Sequence, residues 1–278
     1  MTTGKTEALR RILREMNRVV VAYSGGIDST LLATVANAEL GDGAVAATAV
    51  SPSLPSAELE EARAIARQFN FKHVLLGSHE VDDPNYQANT LLRCYWCKHA
   101  VYDLLTKYAR EHGFAFVVDG TNLDDTGDIR PGRKAASEYG VRSPLIEAQF
   151  TKDDVRRLAR ELGLPNWDKP AMACLSSRIP HGTAVTIQLL SQVEQAERVL
   201  RGLGIRQARV RHHNEIARLE VDPDDFELVL AQREQIVGRF CALGYTFVAL
   251  DLAGYRMGSL NRLPHQKTGI PLKVTHES

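Results

Sequence analysis

The sequence predicts an α/β fold: a doubly wound parallel sheet followed by a smaller C-terminal α+β domain. Three observations carry this expectation. Short apolar, β-branched runs alternate with amphipathic helical segments as far as Thr151, the pattern of a parallel sheet covered on both faces. A glycine-rich turn in "AYSGGIDSTLL" (Ala22 to Leu32) joins the first run to the first such helix. Beyond Thr151 the texture changes, with a stretch rich in proline, serine and small residues leading into a new series of helices and strands.

The elements follow in order. "RVVVAYS" reads as a strand, and "STLLATVANAEL" as a helix with apolar residues at helical spacing. "GAVAATAVS" reads as a second buried strand, and "SAELEEARAIARQFN" as an amphipathic helix with Ser56 as its N-cap. "KHVLLGS" gives a third strand, "KHAVYDLLTKYAREHG" a helix ending at Gly113, and "FAFVVDGTN" a fourth strand opening into a polar loop. "TKDDVRRLARELGLPNW" is a capped helix ending before Pro165. After it the sequence predicts a helix from about Thr186 to Leu203, strands "QARVRHH" and "IARLEVD", a helix from Asp224 to Leu243 and the strand "YTFVALD". The expected organisation is a nucleotide-binding domain over 1–169, a cysteine-bearing connecting loop over 170–184 and a substrate-binding or oligomerisation domain over 185–278.

Composition narrows the partners. With 278 residues, 44% of them hydrophobic, the chain can bury a sizeable core. Lysine plus arginine equal aspartate plus glutamate at 34 each, so no strong overall field gathers nucleic acid or anionic membrane. The first residues lack a signal-peptide apolar stretch and no later run reaches membrane-spanning length, so a cytoplasmic protein is expected. Four cysteines are too few for a disulfide scaffold in a chain this long.

The glycine-rich turn is an expected anion site. Its backbone N–H groups precede the positive end of a helix, and Ser24, Ser29 and Thr30 add hydroxyl donors. Walker A and Rossmann fingerprints are both absent here, since there is no following lysine and no G-x-G-x-x-G. Two glycines alone favour a turn that merely packs a strand on a helix; S-G-G-x-D-S directly after a strand favours phosphate.

"SGGIDS" resembles the pyrophosphatase loop of the PP-loop ATP-pyrophosphatase superfamily, whose members adenylate a substrate and release pyrophosphate. The resemblance implies that Ser24, Gly25, Gly26, Asp28 and Ser29 cradle the ATP phosphates, with Asp28 helping to hold Mg²⁺. "DGTNLDD" follows the fourth strand at the ligand-binding edge of such sheets, which makes Gly120, Asp124 and Asp125 candidates for nucleotide or metal contacts; a solvated turn is the plain alternative.

The cysteines bear on what attacks the adenylate. Cys94 and Cys97 in "RCYWCK" stand at i and i+3 at a helix start, where the dipole favours thiolate and the spacing suits metal; Cys174 lies far downstream, and Cys241 reads as structural. Two buried thiols acting as small hydrophobes are the alternative. "RCYWCK", "GTNLDD", "RPGRKAASEYGVRSPL" and "KPAMACLSSRIPHGT" together resemble the LarE family, sulfur transferases that build the nickel-pincer nucleotide cofactor of lactate racemase. That resemblance implies adenylation of a carboxylate of pyridinium-3,5-biscarboxylic acid mononucleotide and transfer of sulfur to give a thiocarboxylate. Some members sacrifice the sulfur of the cysteine matching Cys174, leaving dehydroalanine; others hold a [4Fe-4S] cluster on three cysteines, matching Cys94, Cys97 and Cys174. Since all three are present, cluster-borne sulfide is the favoured source. Zinc with His99 or His181 as fourth ligand is the metal alternative.

The family pattern also supports Ser177, Arg178, Arg209 and Arg211 as anion contacts, Trp96 as a stacking surface for the pyridinium ring, and Glu197 as an acidic residue near the sulfur cysteine. Each has a plainer reading: a solvated sheet face for the arginines, a structural aromatic for Trp96, a surface helix position for Glu197. His212 and His213 read as polar strand-end residues. Homo-oligomers, often hexamers, are a family property, and a sulfide donor is implied. The competing functions are a tRNA thiolase, an amidating synthase resembling NAD synthetase, and a non-catalytic ATP-binding regulator. Balanced charge speaks against the first and the three-cysteine set against the second; the third would release no pyrophosphate.

Overall fold

A computed structural model describes residues 2–127, 131–170, 173–205 and 207–256. The chain divides into two compact units, Met1–Ser176 with His181–Ser191, and Ser177–Pro180 with Gln192–Ser278.

The first unit opens on α1 (Thr2–Met16), a helix the sequence reading does not anticipate. Strands β1 (Val19–Ala22), β2 (Ala44–Val50), β3 (His73–Gly77) and β4 (Phe116–Val118) form one parallel sheet in the order β3-β2-β1-β4. Between and after them run α2 (Ile27–Leu40), α3 (Ser56–Gln68), the short α4 (Pro84–Gln87), α5 (Arg93–Glu111), α6 (Pro131–Glu138), the short α7 (Pro144–Glu147) and α8 (Lys152–Glu161). Strand periodicity assigns the faces. Val19, Val21, Ala44 and Ala46 pack with Leu9, Leu31, Ile65 and Leu158, while Val20, Val45, Ala47 and Val117 pack with Tyr102, Leu105 and Ala109. Both faces are thus covered by helices, and the sheet is doubly wound.

In the second unit, β5 (Ala208–His213) pairs antiparallel with β6 (Ile216–Val221), which pairs parallel with β7 (Phe247–Leu250). α9 (Ile187–Gly202) leads into it, and α10 (Phe226–Ala231) and α11 (Arg233–Ala242) lie between β6 and β7. Leu200, Val210, Leu219, Phe240 and Tyr245 form its core.

Several local expectations change. Ser56 is the first residue of α3, and Pro55 occupies the N-cap position, so the serine is one place too late to cap. The helix expected from Asp224 to Leu243 is broken at Gln232, whose backbone leaves helical geometry at φ −96°, ψ 11°. Cys241 is exposed rather than packed. His212 is buried and lies against Tyr245 at 5.9 Å between ring centroids, so it is not a polar strand end. Thr151 does cap α8: its Oγ accepts from Asp154 N at 3.3 Å, and Asp154 Oδ2 accepts from Thr151 N at 3.2 Å. Among the described residues no helix is long and apolar enough to cross a membrane.

Candidate active site

The loop from Tyr23 to Gly26 links the central strand β1 to α2. Gly25 has φ +77°, and a Cβ there would stand 2.9 Å from Cβ of Ala62, so both backbone and space require glycine. Gly26 precedes α2 at its N-cap without a side-chain cap, so the first N–H groups of the helix have no side-chain acceptor at that position. Ser24 and Ser29 support each other at 3.2 Å between hydroxyls, and Ser29 Oγ donates to Gly26 O at 3.0 Å. Thr30 does not join them. Its hydroxyl is fully buried and accepts from Asn166 Nδ2 at 3.0 Å, because position 30 lies on the inward side of α2; the expectation of a phosphate contact there is corrected. The same Asn166 amide donates to Gly25 O at 2.9 Å, fixing the loop from behind.

The loop after β4 closes over α2. A Cβ on Gly120 would come within 2.7 Å of Ser29 N, so backbone packs on backbone and the glycine serves this approach. Asp119 anchors the loop by accepting from Tyr102 OH at 2.9 Å and Ser143 Oγ at 2.7 Å. Asn122 Nδ2 then donates to Asp28 Oδ1 at 3.0 Å, and Lys152 Nζ pairs with Asp28 Oδ2 at 2.6 Å. Asp124 Oδ2 accepts from Lys152 N at 2.7 Å, and Asp125 Oδ2 from Asn122 N at 3.3 Å. Both acids therefore shape the turn that presents Asn122 and Lys152. Loop, acids and lysine come together at one edge of the sheet.

The thiols come from two segments of the same unit. Cys94 is exposed at the start of α5, and Cys97, one turn on, is half-buried. Burial, then the neighbouring Cys174, Glu80 and Cys94, push the Cys97 thiol up to about 12, so desolvation overrides the helix dipole that was expected to favour thiolate. Cys174 stands just before the turn Leu175–Arg178. Its segment is held by Leu175 N donating to Ser53 O at 2.8 Å and by a 2.5 Å contact between Ser176 Oγ and Tyr86 OH. Behind these lies a buried carboxylate, Glu80, which accepts from the hydroxyls of Ser51, Ser53 (2.8 Å) and Ser78 (2.6 Å). Trp96 is half-buried and edge-on to Tyr95 at 5.0 Å. His99 turns to Tyr139 OH at 3.1 Å and His181 Nδ1 to Asn89 O at 3.1 Å, so neither is gathered into a metal group with the cysteines.

In the second unit the expected anion contacts are paired internally. Arg178, 2% exposed, donates from Nε to Glu197 Oε1 at 2.8 Å and from Nη1 to Ser177 Oγ at 3.0 Å. Glu197 also accepts from Val210 N at 3.1 Å, which makes it a buried ion-pair partner, neither a surface residue nor an acid with a free oxygen for catalysis. Arg211 donates twice to Glu220 Oε2 and reaches Ser177 O at 2.7 Å, so its charge is already answered. Arg209 differs: burial, then the charge of Arg178, lower its pKa, and its guanidinium lies over Tyr255 at 5.3 Å. The expected two-arginine clamp is thus an unequal pair.

Residues 6–96 match the asparagine synthase family model, which covers the phosphate loop and the first strands. An uncharacterized protein of Synechocystis is 46% identical over 95% of this chain and 99% of its own length. Pyridinium-3,5-bisthiocarboxylic acid mononucleotide synthase of Lactiplantibacillus plantarum is 40% identical over 92% of this chain and 94% of its own. The chain belongs to the LarE family. It is an ATP-dependent sulfurtransferase built on a PP-loop domain. The glutamine-hydrolyzing GMP synthase of Aeropyrum pernix, 27% identical over 54% of this chain and 33% of its own length, is similar through part of it.

For a LarE family member, two inorganic groups call for a fit to these residues. Mg²⁺ is bound by one or two carboxylates plus substrate phosphates rather than by a protein cage, and Asp28 beside the loop is the carboxylate that would hold it, its oxygens here engaged by Asn122 and Lys152. Among the described residues no three His, Cys, Asp or Glu side chains are arranged to hold a single metal ion. A [4Fe-4S] cluster would be held by thiolates alone, and the thiols this unit offers for it are Cys94 and Cys97 at the start of α5 and Cys174 before the turn Leu175–Arg178. The sequence reading does not find Lys152, Asn122, Asn166, Asn89 and Glu80, whose contacts join segments remote in sequence, and takes Arg93 only as a polar flank of the thiols. Only Lys152 had a local signal, its place directly after a helix-capping threonine.

Proposed function

We propose that this chain adenylates a carboxylate of pyridinium-3,5-biscarboxylic acid mononucleotide and replaces the activated oxygen with sulfur to give the thiocarboxylate. The observation that supports this most is that one unit carries both the phosphate loop, with Lys152 Nζ 2.6 Å from Asp28, and the three cysteines Cys94, Cys97 and Cys174. ATP docks on residues 24–29 with Mg²⁺ at Asp28. The substrate carboxylate attacks the α-phosphorus, the bond to the β-phosphate oxygen breaks, and pyrophosphate leaves against the α2 N–H groups and Lys152. The thiol site then provides anionic sulfur, which attacks the acyl carbon and expels AMP. Cys94, Cys97 and Cys174 would hold a [4Fe-4S] cluster, which supplies exchangeable inorganic sulfur when bound. Arg209, alone of the three arginines of the second unit's expected anion site without an answering carboxylate in direct contact among the described residues, is the anion contact for the substrate phosphate.

Anaerobic reconstitution with iron and sulfide tests the sulfur source. Cluster absorption with about four irons per chain, lost in Cys94→Ala, is expected. Colourless, iron-free protein that loses the elements of H₂S at Cys174 after one turnover would replace the cluster with sacrificial cysteine chemistry.

A further inference from the structure

The two thiol-bearing segments are joined by one buried guanidinium. Arg93 is the first residue of α5, directly before Cys94, and is 7% exposed. Its Nη1 donates to Ser176 O at 2.9 Å, two residues past Cys174, and also to Oδ1 of Asn89. Among the described residues no carboxylate pairs with it. Asn89 is fully buried with φ +50°, a conformation asparagine tolerates better than most residues. Its Nδ2 donates to Thr183 O at 2.8 Å, and its backbone oxygen accepts from Gly182 N at 3.2 Å. The asparagine therefore ties down the chain beyond Cys174 while aiming the arginine at the chain just after it.

We propose that Arg93, oriented by Asn89, is the positioning residue that sets the spacing between the Cys94–Cys97 pair and Cys174. The proposal rests on the reading that the three thiols act together. Other contacts already anchor the Cys174 segment: Leu175 N to Ser53 O, Ser176 Oγ to Tyr86 OH, and Val185 N to Gln87 O. Arg93 is the contact that references this segment to α5 itself, so its loss alters thiol spacing before it alters the fold. Burying a guanidinium without an acid partner is costly, and a neutral cap would serve the helix start equally well. Both acceptors are held by the one nitrogen Nη1, whose two N–H directions are fixed in the guanidinium plane, a preset geometry that a rotating ammonium lacks.

The test uses full-length protein without added iron. A short bifunctional maleimide links the exposed Cys94 to Cys174, and peptide mass spectrometry measures the yield in wild type, R93M, R93K and N89D. R93M is expected to lose about tenfold in link yield, with R93K intermediate and N89D also intermediate, because aspartate keeps an acceptor for the guanidinium but loses the donor to Thr183 O. ATP affinity and thermal midpoint stay close to wild type in all three. An unchanged link in R93M overturns the proposal, and so does a loss of link that comes with equal losses of ATP affinity and thermal stability. If R93M does not fold, R93K decides: a reduced link with ATP affinity retained supports the positioning role, and a wild-type link removes it. The assay needs neither iron nor turnover, so failure of the sulfur-transfer reading shows separately, as absence of thiocarboxylate product from wild type.

Discussion

Lys152 Nζ stands 2.6 Å from the carboxylate of Asp28, although 124 residues separate them. The phosphate loop has no lysine of its own, and this one arrives from the first position of α8, directly after the Thr151 cap. In the proposed reaction a cation held there would offset the charge that accumulates as pyrophosphate separates. Lys152→Met would remove from the departing pyrophosphate a charge-assisted contact of about 1.5–3 kcal/mol in the transition state. Pyrophosphate release should fall roughly 10- to 100-fold. Steady-state assay of pyrophosphate at saturating ATP checks this, and a variant within twofold of wild type would take Lys152 out of the reaction.

Gly120→Ala places a methyl group 2.7 Å from Ser29 N, where backbone faces backbone and no flexible side chain can yield. Overpacking of this kind costs about 1–3 kcal/mol. Because the displaced atoms belong to the first turn of α2, ATP affinity should drop together with the thermal midpoint. Calorimetric titration with a non-hydrolysable ATP analogue reads the first, and a melting curve the second. A drop in stability alone would confine Gly120 to packing.

How far the sequence led depends on the range of the interaction involved. β1 through β4 and their covering helices were readable because strand burial and helix periodicity are local patterns, and the S-G-G-x-D-S turn carried its own chemistry. Cys94 and Cys97 were readable as a pair by spacing, and their link to Cys174 came through family resemblance. What escaped were contacts made by folding. Thr30 looks like a phosphate donor until α2 turns it toward Asn166. Glu197 looks like a helix-surface acid until Arg178 and the β5 backbone claim both its oxygens. The dipole argument for thiolate at Cys97 failed for the same reason, since burial is not visible in a spacing.

His73 should make stability fall on acidification. Burial, then the charge of Arg63, lower its pKa from 6.5 to about 4. Thr48 Oγ1 spends its only proton on Tyr23 O at 2.7 Å, so it accepts from His73 Nε2–H at 2.8 Å, a bond that the neutral ring already satisfies. Between pH 6.5 and 4 the unfolded chain takes up a proton here that the folded chain refuses. The stability contribution is therefore full above the unfolded value and is lost as pH falls through that window. Melting temperatures of wild type and H73Q across the window should converge toward low pH. Parallel curves would place the acid sensitivity elsewhere.

Glu197→Ala separates the structural role of this carboxylate from a catalytic one. Both Arg178 and Glu197 are at most 2% exposed, so truncation leaves a buried guanidinium without its counter-charge and frees Val210 N from its acceptor. Losing one partner of a buried pair costs about 3–5 kcal/mol. A double change, Arg178→Met with Glu197→Leu, replaces the pair with apolar bulk and should recover a good part of that loss, because the penalty lies in the stranded charge rather than in the missing attraction. Denaturant midpoints of the three proteins give the comparison. If Glu197→Ala melts like wild type yet loses thiocarboxylate formation, the carboxylate acts on substrate and the ion pair seen in this state opens during turnover.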